Sequence, residues 1–377
     1  MSRFGSVREL VETLHPTEPL YCIRPQKLHQ AAHNFVTGFP GKTLFAVKAN
    51  PHPAIVGELY KAGIRCFDTA SLHEIELVTG LFADAECYFM APCKLMGTAQ
   101  TAFDSFGVRH FVADHPSEVG RLLEFATPQT TVHIRMKAMD PASVYELSSK
   151  FGAEADETVV LLQQVAQAGC RAGLVFNVGS LCTHPDAYRR AIRAAGDVIK
   201  QSAVEIVSLD VGGGFPVSYP GLETAEVSEF FAAIKEETAS INLPRECELL
   251  CEPGRALVAT GQSLLTQVIL MKDDLVFLND GIYGALSELV ISNGSVKFPL
   301  TVYRINGSPS HKTKPYSISG PTCDTLDIVP GKVDLPEDLK TGDWIEFGIA
   351  GAYSNSMASR FNGLHADQWM LIGDEDD

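Results

Sequence analysis

The chain has 377 residues, long enough for a large barrel or for two domains, and its 45% hydrophobic against 20% charged residues exclude a disordered or fibrous chain. Lys and Arg number 30 against 46 Asp and Glu, a formal charge of -16 that repels phosphate backbones and argues against a nucleic-acid partner. Nine cysteines form an odd set without a C-x-x-C pair, as expected of reduced, mostly buried thiols, and no metal site is expected.

The first 21 residues hold an amphipathic Val7-Arg8-Glu9-Leu10-Val11 stretch, and nowhere do eighteen apolar residues run together. Neither a signal peptide nor a membrane span is expected, which places the protein in the cytoplasm. From residue 43 to about 253, short apolar runs alternate with helical patterns, the mark of parallel βα units. Eight strands are predicted, at 43–47, 65–68, 87–90, 110–113, 131–136, 172–178, 205–211 and 246–251. Helical stretches lie at 54–62, 117–125, 157–168, 185–200 and 227–241, and Ser71-Leu72-His73-Glu74 reads as a capping box. Eight units in this length suit a (β/α)8 TIM-like barrel, although hydrophobic pattern alone does not separate it from a doubly wound open sheet.

After about residue 259 the period changes. Segments 263–271, 275–279, 297–304, 315–319 and 343–347 look like strands, and Asn279-Asp280-Gly281, Asn293-Gly294 and Asn306-Gly307 supply turns. The expected organisation is a barrel over 24–260 and an all-β domain built from 261–377 and completed by 1–23. The terminal Asp374-Glu375-Asp376-Asp377 reads as a solvated tail.

Three strand ends carry chemistry. Phe45-Ala46-Val47-Lys48 places an amine after an apolar approach, where desolvation lowers its pKa and suits Schiff-base formation. Asp210-Val211-Gly212-Gly213-Gly214 exposes backbone N–H groups that can close on a phosphate. Cys251-Glu252-Pro253-Gly254-Arg255 sets an acid and a guanidinium three residues apart. Taken singly, each has a bland reading: a solvent-facing Lys, a turn, an ordinary ion pair. Together at one barrel mouth, they are the set that pyridoxal phosphate needs: an amine for its aldehyde, donors for its phosphate and an acid for its ring nitrogen.

These residues resemble the fold-type III pyridoxal-phosphate decarboxylases, most closely the eukaryotic-type ornithine decarboxylases. The resemblance runs from Phe45-Ala46-Val47-Lys48-Ala49-Asn50 through Phe67-Asp68-Thr69-Ala70-Ser71, Lys150-Phe151-Gly152, Val178-Gly179-Ser180 and the glycine and Cys251–Arg255 motifs. It continues in Asn279-Asp280-Gly281-Ile282-Tyr283-Gly284, Gly320-Pro321-Thr322-Cys323-Asp324, Gly351-Ala352-Tyr353 and Phe361-Asn362-Gly363. It implies that Lys48 binds the cofactor aldehyde and Glu252 the ring nitrogen. Ser180, Gly213, Gly214, Arg255 and Tyr353 would hold the phosphate, and Asp68, Arg135 and Asn177 would line the cofactor. It further implies a homodimer with shared sites, in which the partner chain supplies Cys323 as the proton-handling residue and Asp324 for the distal cation of a small cationic amino acid. Tyr283, Ser292 and Phe361 would lie with Asp324 at the substrate, and Lys150 with Asp327 would bridge subunits. The implied activity is decarboxylation of a basic L-amino acid in polyamine biosynthesis.

Two positions depart from that pattern. Asn177 stands where the family stacks a His on the cofactor ring, and Ser292 stands where ornithine enzymes carry a second carboxylate. Three other readings compete: a diaminopimelate decarboxylase, opposed by Cys323-Asp324-Thr325 where those enzymes show Cys-Glu-Ser; an alanine racemase, opposed by Glu252 at the ring nitrogen; and a catalytically dead, antizyme-inhibitor-like binding protein, opposed by Lys48, Cys323 and Tyr353.

Overall fold

A computed structural model describes residues 1–138, 143–145 and 149–373, so the acidic tail at 374–377 lies outside the described residues. Two compact units emerge. One comprises Ala32–Val217 with Thr224–Ala256, and the other comprises Met1–Ala31, Ser218–Glu223 and the chain from Leu257 onward.

The first unit is a closed barrel of eight parallel strands: Lys42–Ala46, Cys66–Thr69, Glu86–Phe89, His110–Ala113, Thr131–Arg135, Arg171–Val175, Ser208–Asp210 and Glu248–Cys251. Each strand pairs with the next in the chain, and the eighth returns to the first, with Leu250 opposite Lys42 and Cys251 opposite Thr43. That closure rules out the open doubly wound sheet. The strands read as unbroken apolar runs because one face is covered by helices and the other fills the barrel, where Leu44, Tyr88, Val112 and Leu250 pack together. Four strands are shorter than expected: Thr131–Arg135, Arg171–Val175, Ser208–Asp210 and Glu248–Cys251. After Arg171–Val175 and Ser208–Asp210 the chain leaves the barrel through glycines at positive φ, Gly179 at 106° and Gly212 at 70°.

The outer helices follow the predicted periodicity. Asp186–Ser202 buries Ala187, Tyr188, Ala191, Ile192, Ala195 and Val198 along one stripe. Leu72–Leu81 starts at Ser71, whose Oγ accepts the Glu74 N–H at 3.2 Å; the Glu74 carboxylate accepts the N–H of Ala70 at 2.7 Å, one residue before the expected capping-box partner. Helices Pro25–Gly38, which runs across the boundary between the two units at Ala31, and Thr98–Phe106 were not among the predicted elements.

The second unit centres on an eleven-residue strand, Gln262–Lys272, which pairs antiparallel with Leu20–Ile23, Trp344–Phe347 and Leu275–Leu278. A bulge between Val268 and Leu270 divides a buried first half from an exposed second half. The N-terminal segment joins this nine-stranded sheet, as expected, through Leu20–Ile23 and the short strand Arg3–Phe4. The unit is mainly sheet rather than all-β. Val7–Leu14 is a helix capped by Ser6 that buries Val7, Leu10 and Val11, and Ser287–Ile291 is a short helix ending in Asn293 and Gly294 at positive φ. Among the described residues no helix is long and apolar enough to cross a membrane.

Candidate active site

Parallel strands in a closed barrel bring all their C-terminal ends to one rim, where barrel active sites form. Nine of the expected cofactor residues lie at or just beyond such ends. Lys48 follows the first strand in a single turn of 3-10 helix, Val47–Ala49; Asp68 is in the second strand and Arg135 ends the fifth. Asn177 and Ser180 follow the sixth, Gly213 and Gly214 the seventh, Glu252 and Arg255 the eighth.

The amine of Lys48 lies 3.4 Å from the Asp68 carboxylate; the lysine side chain is 50% exposed and the aspartate 2%. Behind this pair stands an acid cluster. Burial raises the Glu252 carboxyl well above its usual pKa, with Asp210 and then Asp68 adding to the effect, so its surroundings favour the protonated form. Asp210 is fully buried and is pushed up to about 7, first by burial and then by Asp68, an effect partly offset by the Gly212 N–H that donates to it at 2.8 Å. Arg135 is lowered by burial and pulled back by Glu252, Asp114 and Asp68, so it supplies the cluster with positive charge. Asp210 was overlooked as a functional residue, although an acid inside the apolar run Ser208-Leu209-Asp210-Val211 was the available signal.

Three backbone-dense segments form a cradle beside the cluster. A Cβ on Gly213 would strike the Glu252 carbonyl oxygen, and one on Gly214, at φ 104°, would strike that of Gly179. Glycine is therefore required twice. The N–H groups of Gly213 and Gly214 make no hydrogen bond among the described residues. Ser180 pairs across a two-stranded ladder with Tyr145, and the buried Arg255 guanidinium lies 5.6 Å from the Tyr145 ring centroid. Two adjacent N–H donors, a hydroxyl and a guanidinium are an anion-binding set; with Lys48 and Glu252 on the same rim, the residues present fit pyridoxal phosphate.

Asn177 stands in the turn after the sixth strand. Its Oδ1 accepts the Gly179 N–H at 2.9 Å, closing the turn that sets up Ser180.

The other expected residues belong to the sheet unit. Asp324 accepts the Tyr283 hydroxyl at 2.7 Å and the Leu326 N–H at 2.9 Å, and these two bonds, the backbone one first, hold its carboxylate below its usual range. The Tyr283 and Phe361 rings lie 4.9 Å apart, and the exposed Cys323 thiol sits 3.9 Å from Asn362 Oδ1. Ser292 is buried, and its hydroxyl donates to the Leu289 carbonyl at 3.3 Å, finishing the helix Ser287–Ile291. Asp327, expected to pair with Lys150 across subunits, is fully buried and accepts from Ile282 N, Thr322 N and Thr322 Oγ1, so it shapes the loop that carries Cys323 and Asp324. Tyr353 holds an unusual φ of 66°.

The family profile described as the pyridoxal binding domain of pyridoxal-dependent decarboxylases matches residues 25–259. The lysine/ornithine decarboxylase of Selenomonas ruminantium is 30% identical over 340 residues, spanning 88% of this chain and 83% of that one. Antizyme inhibitor 2 of Xenopus laevis is 32% identical over 347 residues, 86% of this chain and 74% of that one. Among solved structures, the Paramecium bursaria Chlorella virus arginine decarboxylase bound to agmatine superposes with a TM-score of 0.86 at 26% identity, covering 97% of this chain and 99% of the other.

Proposed function

The chain belongs to the pyridoxal-dependent decarboxylases, and on that premise we propose that it removes the α-carboxyl group of a basic L-amino acid. Ornithine and lysine are the first candidates and arginine a further one; the products are the corresponding amine and carbon dioxide. The observation that carries this reading is the shared rim of Lys48, Asp68, Glu252, Gly213, Gly214 and Arg255.

Bound there, pyridoxal phosphate supplies an aldehyde for an amine and a ring that accepts the electron pair left by departing carbon dioxide. Lys48 offers the amine. Asp68, 3.4 Å away, holds it in place as an ammonium and is placed to take the proton it must shed to become a nucleophile. Glu252, whose surroundings favour its protonated form, carries a proton to where a ring nitrogen would sit. Ser180, the Gly213 and Gly214 N–H groups and Arg255 grip the phosphate, and the family motif assigns Tyr353 to the same group.

Asp324 is charged at neutral pH, with both oxygens oriented by Tyr283 and Leu326, and receives the substrate's distal cation. Cys323 delivers a proton to the substrate carbon after carbon dioxide leaves. These two act on the partner subunit's barrel in a homodimer. Support comes from the exposure of Leu326 (70%) and Ile328 (46%) beside them, apolar side chains suited to an interface. The absence of disulfides among nine free thiols supports a cytoplasmic setting, and the product class supports a role in polyamine formation.

Carbon dioxide release from ornithine, lysine, arginine, diaminopimelate and leucine, measured together with cofactor content on protein incubated with pyridoxal phosphate, tests this reading. Turnover of at least one of the first three well above leucine is expected. Release fastest from leucine would end the basic-substrate reading, and no release from any, with no cofactor bound, would favour a binding protein.

A further inference from the structure

We propose that Tyr145 is a positioning residue for the cofactor phosphate, holding the Arg255 guanidinium against the turn that carries Ser180. The inference rests on the cofactor reading above and adds a residue that no motif in the sequence singled out.

Tyr145 ends the three-residue strand Ser143–Tyr145, which runs antiparallel to Ser180–Cys182 with Tyr145 opposite Ser180 and Ser143 opposite Cys182. The strand lies so close that a Cβ on Gly179 would meet Ser143 Oγ and the Tyr145 carbonyl oxygen, and the Ser143 hydroxyl donates to the Val178 carbonyl. Asn177 Oδ1 closes the same turn from the other side through the Gly179 N–H. Ser180 is thus fixed by the strand on which Tyr145 sits. The Tyr145 ring also lies 5.6 Å from the Arg255 guanidinium carbon. One residue therefore connects two members of the anion cradle that come from different barrel loops, its backbone pairing with Ser180 after the sixth strand and its ring lying by Arg255 after the eighth.

The physical advantage lies in the geometry of a guanidinium. A guanidinium drawn over a ring by its charge spends no N–H on that contact, while the ring restrains a side chain with many rotamers. A phosphate gains from donors that are ordered before it arrives. What Tyr145 contributes is then specific to the phosphate and indifferent to the ring and aldehyde of the cofactor. That distinguishes it from a residue that merely packs.

The test titrates cofactor-free protein with pyridoxal phosphate and, separately, with pyridoxal, which lacks the phosphate, following absorbance. Wild-type protein should bind the phosphate ester more tightly. Tyr145→Leu should weaken pyridoxal phosphate by about 2- to 30-fold, the range of a cation–π contact, and leave pyridoxal unchanged. Tyr145→Phe, which keeps the ring, should behave as wild type. Equal weakening of both ligands, full retention in Tyr145→Leu, or a Phe variant as poor as the Leu variant would overturn the inference. A wild-type protein that does not distinguish the two ligands would overturn the phosphate-site reading on which the inference stands.

Discussion

Asp210 and Glu252 bring two carboxyl groups into a buried place with Asp68 close by, and the result is a cofactor-free protein that favours protonated acids. An acid whose pKa rises on folding stabilises the fold fully below its unfolded value and loses that contribution as pH rises through its folded value. For Asp210, moving from 3.8 to about 7, the stability of cofactor-free protein should fall across pH 4 to 7. Asp280, fully buried in the sheet unit and also raised to about 7 by burial, has the same sign. Denaturant midpoints across that range should therefore decline with pH, and Asp210→Asn should reduce the slope without removing it. An unchanged slope would mean that Asp210 is ionised in the fold. Asp324 makes the opposite case: it is half-buried, its carboxylate is held below its usual range by hydrogen bonds, and its role depends on the ligand. Asp324→Asn should lower kcat/KM for the best basic substrate by roughly 10- to 1000-fold through loss of a charge-assisted contact. Normal kinetics in that variant would remove Asp324 from the substrate site.

At the level of elements, the loop after the seventh strand shows why much of the site was legible. Three glycines in a row have a physical cause here: Gly212 and Gly214 stand at positive φ, and Cβ atoms at Gly213 and Gly214 would meet backbone oxygens. Gly214→Ala should cost about 1 to 2 kcal/mol in backbone conformation alone and weaken pyridoxal phosphate more than pyridoxal, as read by thermal melts and the same titrations. An Ala variant with wild-type affinity for both would show that the loop is only a turn. Strand ends announced themselves through apolar runs that stop at a charged or glycine residue, which is how Lys48, Glu252 and Arg255 were found. Ser292 and Tyr145 were not readable in this way. Ser292 was assigned by counting from Tyr283, and in the structure it ends the helix Ser287–Ile291 with its hydroxyl bonded to the Leu289 carbonyl. Tyr145 lies in a short strand whose partner is another three-residue strand 35 residues on, a pairing that no local period reports. The same limit hid the sheet unit's helix at Ser287–Ile291, since Asn293-Gly294 looks alike whether it follows a strand or a helix.

For the whole molecule, the closed barrel was expected because eight apolar runs occur at regular spacing, yet only the return pairing of Glu248–Cys251 with Lys42–Ala46 decides closure. The expected functional residues divide between two units, with Lys48 and the acid cluster in the barrel and Cys323, Asp324, Tyr283 and Phe361 in the sheet unit. If sites are shared between the two copies of a homodimer, mixing inactive Lys48→Ala and Cys323→Ala chains should restore about a quarter of wild-type activity under random assembly, because half the dimers are mixed and each has one intact site. No recovery after verified subunit exchange would contradict shared sites. The most direct test of the account as a whole is which lysine holds the cofactor. A buried amine competes: Lys94 is lowered to about 8 by burial, but it already donates to the Val112 carbonyl and to Glu118. Borohydride reduction of the cofactor-loaded protein, followed by peptide mapping, should place the pyridoxyl group on Lys48. A label on Lys94 or any other lysine would contradict the account.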